Sequence, residues 1–275
     1  MNPIESFILG IVQGVTEFLP ISSSGHLVLM ERLLGIDSPG VVLEALLHFG
    51  TLVSVVYLFR QRIAALLRAP FTRKDSPQVR EQHKFLALLV VATLPTALIG
   101  LLFESWFERA FESTLTVGIS LLITGALLFA LERLAPAKSE NPGTRIGVAR
   151  MGFLDAVWVG IMQGAAIVPG ISRSGFTIAT GILRGLDRKA AAEFSFILAI
   201  PAILGATGLQ LFRAVEELAI HRNLIGDYLI GAVVAAVSGI VSIKALLYLL
   251  LRSQLDRFAY YCWGIGISAI LWTLL

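Results

Sequence analysis

The sequence predicts an all-α integral membrane protein with an inverted-topology repeat, each half a re-entrant helix hairpin followed by three transmembrane helices. Three observations predict it. The first is composition: 56% of the 275 residues are hydrophobic and 15% charged, against about 25% charged in a soluble domain, and mean hydropathy is +0.80. The second is a set of apolar runs close to the ~20 residues that a bilayer core requires. The third is an internal echo. QGVTEFLPISSSGH (Gln13–His26) and QGAAIVPGISRSG (Gln163–Gly175) both begin Gln-Gly and reach Ser-x-Ser-Gly at a constant offset of 150 residues. Net charge is a small +3, nothing in the sequence suggests nucleic-acid binding, and the single Cys262 excludes an intrachain disulfide. Cys262 lies in the last apolar run and reads as a small buried side chain.

In order, the first half covers residues 1–134. Its hairpin spans about 4–35, because Pro20 and the Ser22-Ser23-Ser24-Gly25 stretch break a run too short and too polar to span alone. Ser24 is the expected N-cap of the hairpin's second helix, which runs to about Leu34. Spans follow at about 43–59, 85–103 and 115–131. The linker 135–151 is rich in Pro, Gly and charge, as a solvated cytoplasmic loop should be. The second half, 152–275, repeats the plan with a hairpin at about 152–185 and spans at about 194–212, 228–250 and 258–275. Glu44 and Glu193 open the first span of each half, and Leu58-Phe59-Arg60 and Leu211-Phe212-Arg213 close them. The N-terminal MNPIESFILG has no basic segment and does not read as a signal peptide.

Three spans per half is an odd number, so the halves are expected to run in opposite senses, with the hairpins entering from opposite faces. Of the 22 Lys and Arg residues, 16 fall in loops assigned to one side (within 60–84, 133–150, 184–189 and 252–257). Four, Arg32, Arg109, Arg213 and Arg222, fall on the other. By the positive-inside rule this asymmetry places both termini and the mouth of the first hairpin outside.

The polar residues cluster in the breaks. Glu17 is a carboxylate on a membrane-embedded helix, a placement that favours a cavity or a partner. Gln13 lies four residues before it, on the same face. Ser22, Ser23, Ser24 and Gly25 surround a helix start, where free N–H groups and hydroxyls converge and glycine permits close approach. They either cap the helix or bind an anion. The second break offers Ser172, Ser174 and Gly175, with Arg173 in place of Ser23. A guanidinium there either pairs with Glu17 as a structural lock or grips phosphate oxygens in bidentate fashion. His26 is the natural proton donor or acceptor near neutral pH. Glu44 and His48 share a helix face and read as support. No Cys/His metal motif exists, but a hard cation such as Mg²⁺ needs only one or two carboxylates plus phosphate oxygens, and Glu17 could serve. These residues alone leave an enzyme and a transporter equally open.

The Gln13-x-x-x-Glu17 pattern followed by Phe-Leu-Pro-Ile-Ser-Ser-Ser-Gly-His resembles the first signature of the bacterial undecaprenyl-diphosphate phosphatase (BacA/UppP) family. Pro169-Gly-Ile-Ser-Arg-Ser-Gly175 resembles its second, and Glu193-Phe-Ser-Phe with Ala199-Ile-Pro201 is also similar. Many members carry Glu where this chain has Gln13, and some carry Thr at Ser24. The resemblance covers the whole chain. It implies a hydrolase of the bacterial cytoplasmic (inner) membrane that converts undecaprenyl diphosphate to undecaprenyl phosphate at the outer, periplasmic face. It thereby recycles the lipid carrier for peptidoglycan synthesis and confers bacitracin resistance. It implies a divalent cation (Mg²⁺ or Ca²⁺) held by Glu17, His26 as acid/base group or nucleophile, and Ser23 with Ser22 and Ser24 on the phosphate or supplying the attacking hydroxyl. A metal-bound water is the third candidate nucleophile. Arg173, with Ser172 and Ser174, would clamp the diphosphate. The partners implied are the polyprenyl diphosphate substrate and membrane lipid, with a homo-oligomer left open. The alternative reading is an inverted-repeat flippase for undecaprenyl phosphate, alone or in addition.

Overall fold

The computed structural model describes residues 2–36, 41–72, 76–135, 147–214 and 224–275. Most of the linker expected at 135–151 lies outside them. The described residues are helical and contain no strand. The chain opens with the short pair α1 (Pro3–Phe18) and α2 (Ser23–Leu34), then α3 (Val41–Leu58) and the short α4 (Arg60–Arg68). Next come α5 (Pro77–Leu102), the short α6 (Glu104–Phe111) and α7 (Thr114–Leu134). The second part holds the short pair α8 (Phe153–Ala165) and α9 (Arg173–Leu183), followed by α10 (Arg188–Arg213), α11 (Ile225–Leu250) and α12 (Asp256–Leu274).

Side-chain caps start these helices where the sequence allows them. Asn2 and Glu5 form a capping box ahead of α1, with Pro3 in its first turn. Ser76, Ser113 and Asp187 each accept an N–H from the first turn of α5, α7 and α10. Capping carries α5 and α10 well past their apolar cores, so they begin earlier than the expected spans at 85 and 194. α4 and α6 occupy stretches expected to be loops. Each is amphipathic, and apolar residues at helical spacing, such as Leu66 on α4 and Phe107 with Ala110 on α6, go into the core.

Among the described residues five helices, α3, α5, α7, α10 and α11, are long and apolar enough to cross a membrane. The chain is a multi-pass membrane protein. Val90, Leu94, Leu98 and Leu101 of α5 stand exposed at helical spacing, the kind of surface that lipid covers. α12 forms where a sixth span is expected but does not join the five. Its tyrosines, tryptophans, glycines and Ser268 dilute its hydropathy.

The short pairs cross between the two parts of the chain. α1 packs on α11, and α8 packs on α5; α3 meets α10, and α7 meets α12. Both crossings rest on glycines at the same place in the echo. A Cβ on Gly10 would stand 2.5 Å from the Gly231 carbonyl oxygen, and one on Gly160 would collide with the Ala92 carbonyl. The largest buried cluster gathers Phe18, Phe85, Phe194, Phe196 and Met151. Within it Phe18 meets Phe196 edge to face at 5.7 Å, which anchors the end of α1 beside Glu17.

Candidate active site

The two helix breaks meet in the interior. Ser22, rather than Ser24, is the N-cap of α2: its Oγ accepts from Gly25 N–H at 3.3 Å. Ser172 plays the same part for α9, accepting from Gly175 N–H at 3.1 Å. Ser22 has φ +70°, a left-handed conformation uncommon for a residue with a Cβ. The same Oγ accepts from Gly170 N–H across the junction at 3.0 Å. Gly170 itself has φ +95°, and a Cβ there would lie 2.5 Å from the Val117 carbonyl oxygen. Gly25 is equally constrained, since a Cβ would stand 2.9 Å from Gly170 Cα. Thr124 of α7 ties the second break by accepting from Ser172 N–H at 3.1 Å and donating to the Gly170 carbonyl at 3.0 Å. Ser174 Oγ donates to the Leu19 carbonyl at 3.2 Å.

Glu17 sits at the centre of this junction and is 6% exposed. Its Oε1 accepts from Arg173 Nη2 at 2.6 Å. Its Oε2 accepts from Gln13 Nε2 at 3.0 Å and from the Ser23 hydroxyl. Gln13 Nε2 also lies 2.9 Å from His48 Nδ1, and that ring nitrogen is 3.7 Å from Glu17 Oε2. One amide hydrogen to each partner leaves His48 Nδ1 an acceptor. Gln13, Glu17, Ser23, Arg173 and His48 therefore form one connected group. Arg173 and Glu17 are paired, so each meets the other's charge in a place where neither could stand alone.

The imidazole beside Glu17 is that of His48. His26 turns elsewhere. Its Nδ1 is 2.7 Å from the Ser22 carbonyl and its Nε2 is 2.9 Å from the Tyr261 hydroxyl of α12. Glu44 of α3 is partly buried. Tyr261 and Thr124 were not marked by any sequence motif. Tyr261 joins His26 across 235 positions, a distance that no local pattern registers.

Two buried polar atoms at the centre have no partner: Gln13 Oε1, an acceptor, and Arg173 Nη1, a donor. The free guanidinium nitrogen suits an anionic oxygen. The free amide oxygen and Glu17 are hard donors of the kind Mg²⁺ or Ca²⁺ prefers. Among the described residues no group of three or more His, Cys, Asp or Glu could hold a metal ion. A cation here would complete its shell with phosphate oxygens and water.

Fold and site together define an integral membrane protein whose interior presents a paired carboxylate and guanidinium, a hydroxyl on that carboxylate, and two helix starts facing one another. The family model described as "Bacitracin resistance protein BacA" matches residues 6–268, and the chain belongs to that family. Curated relatives include a protein named undecaprenyl-diphosphatase from Carboxydothermus hydrogenoformans, 42% identical over 98% of this chain and 97% of its own length. The protein of that name from Halothermothrix orenii is 42% identical over 98% of each chain. The one from Alkaliphilus metalliredigens is 39% identical over the full length of both.

Proposed function

We propose that the protein hydrolyses undecaprenyl diphosphate to undecaprenyl phosphate and inorganic phosphate, recycling the lipid carrier for peptidoglycan synthesis at the outer face of the cytoplasmic membrane. The observation that carries this reading is the Ser23 hydroxyl on Glu17 Oε2, with Arg173 on the carboxylate's other oxygen. Phosphoryl transfer needs little more than a placed nucleophile and compensation of charge. Arg173 Nη1 takes an oxygen of the terminal phosphate. The Ser23 Oγ–P bond forms, the bridging P–O bond breaks, and undecaprenyl phosphate leaves while Glu17 accepts the Ser23 proton. Water then attacks phosphorus, the P–Oγ bond breaks, and Glu17 returns the proton to Ser23. His26, with Nδ1 committed to the Ser22 carbonyl, takes the water's proton at Nε2. Glu17 and Gln13 Oε1 would hold a divalent cation, which would supply further charge compensation on the phosphate oxygens. Removal of the diphosphate pool's terminal phosphate accounts for bacitracin resistance, as the family's description suggests.

Two supports favour the inverted repeat. The crossings are reciprocal, since the leading helix of each short pair packs on a span of the other half. The biased Lys and Arg distribution gives the expected sides, with both termini and the first hairpin's mouth outside. The same reciprocal architecture favours a second reading, a flippase for undecaprenyl phosphate, because broken helices meeting within the membrane also suit a carrier.

The test is phosphate release by purified protein in detergent from undecaprenyl diphosphate with Mg²⁺ or Ca²⁺, and again with chelator. Release that depends on the metal and vanishes in Ser23→Ala supports the phosphatase. No release from monodisperse protein, with lipid transfer in proteoliposomes, would establish the carrier instead.

A further inference from the structure

His26 is held at both ring nitrogens, and its partners are chemically unlike. The Ser22 carbonyl can only accept, so the hydrogen at Nδ1 is fixed and a neutral ring carries its lone pair at Nε2. That lone pair faces the Tyr261 hydroxyl at 2.9 Å. The two ring planes differ by 7° with centroids 5.6 Å apart, so the phenol and the imidazole lie nearly parallel. Nε2 has one lone pair, and the Tyr261 O–H fills it. Among the described residues, the hydrogen bonds of the two ring nitrogens go to the Ser22 carbonyl and the Tyr261 hydroxyl and not to Glu17, Ser23 or Arg173. Tyr261 is 42% exposed, and its bond to His26 is not buried.

We infer that Tyr261, contributed by the last helix, relays the proton between His26 Nε2 and the attacking water. The phenol gives its proton to Nε2 as its oxygen takes one from the water, and it ends unchanged. In the imidazolium state the direction of the bond reverses, Nε2–H donating to the Tyr261 oxygen, so the ring stays in place in both protonation states. The relay rests on the proposed role of His26, and the test separates the two.

The experiment compares wild type, Tyr261→Phe, His26→Ala and the double variant with undecaprenyl diphosphate and Mg²⁺ in detergent. Each variant is first shown to elute and melt as wild type does. Tyr261→Phe keeps the ring and the packing and removes only the hydroxyl. Its kcat should fall about tenfold to a hundredfold, with KM within about twofold because ground-state binding is untouched. ¹⁵N spectra of histidine-labelled protein should show the His26 signals moving in Tyr261→Phe, as the bond at Nε2 is lost. In the His26→Ala background, adding Tyr261→Phe should cost nothing further. Unchanged kcat in Tyr261→Phe, alongside an inactive His26→Ala, would overturn the relay alone. An equal loss in both backgrounds would also overturn it, by showing that Tyr261 acts without His26. An active His26→Ala would instead sink the role given to His26.

Discussion

Each oxygen of Glu17 has its own partner, and substitutions separate their work. Glu17→Gln removes both the acceptor for the Ser23 proton and the charge facing Arg173, so kcat should fall by about 10²–10⁴. Gln13→Ala removes a neutral amide that touches the same carboxylate, and a smaller loss is expected in the same phosphate-release assay. Equal losses would deny Glu17 its place as the distinctive carboxylate. Arg173→Lys keeps the charge but not the second nitrogen, which lies buried without a partner. It should lose about 10²-fold in kcat while still folding. An Arg173→Lys protein that fails to fold would favour the guanidinium as a structural lock on Glu17. At this scale the residue types of the centre were legible in the sequence: Glu17, Ser23, Arg173 and Gln13 all stand in the two matching stretches, and all meet. His26 and His48 were not legible in the same way, because which imidazole faces Glu17 depends on the path of α3.

The elements are locked where the two breaks meet. Gly170→Ala forces a side chain into φ +95° and against the Val117 carbonyl. It should destabilise the protein by about 1–3 kcal/mol, seen as a lower melting temperature in detergent. Ser22→Ala removes a hydroxyl that caps α2 and binds Gly170 across the junction. About 1–2 kcal/mol is expected from the lost cap and bond, read in the same melt, while the Ser22 carbonyl that holds His26 belongs to the backbone and stays. The breaks themselves were legible from Pro20, Pro169 and the Ser-Gly clusters. The capping residue was not, since Ser22, Ser23 and Ser24 are equivalent as letters. Only the contact with Gly170 singles out Ser22.

Across the whole molecule, Arg188 of α10 holds three segments together. It is 2% exposed, meets Glu132 of α7 with two bonds of 3.0 Å, and donates to the Leu250 and Ala135 carbonyls. Glu132 in turn accepts from Leu255 N–H at 3.2 Å, ahead of α12. Arg188→Leu strands a buried carboxylate and should cost about 3–5 kcal/mol. The double variant Arg188→Leu with Glu132→Leu should recover most of that loss in the same thermal melt, because neither charge is then left alone. The proposed orientation is tested at this scale too. Cys262 is buried and free, so a cysteine placed at Glu112 should react with an impermeant thiol reagent from outside the cell, and one at Arg150 only after lysis. The reverse pattern would invert the proposed topology.

Composition and apolar run length by themselves determined that this is a helical, multi-pass membrane protein. The reason is physical: a bilayer admits only segments that satisfy their own backbone and carry few charges, and both properties are written locally. The echo at Gln13 and Gln163 marked where chemistry would gather, since buried polar residues are tolerated only where they have a task or a partner. Tertiary structure alone decided the partners. Glu17 receives Arg173 from 156 positions away and His26 receives Tyr261 from 235 away, and such pairings follow from helix crossings set by glycine contacts, not from any spacing along the chain. The short helices α4 and α6 belong to the same class, because an amphipathic turn becomes a helix when a core is present to receive its apolar face.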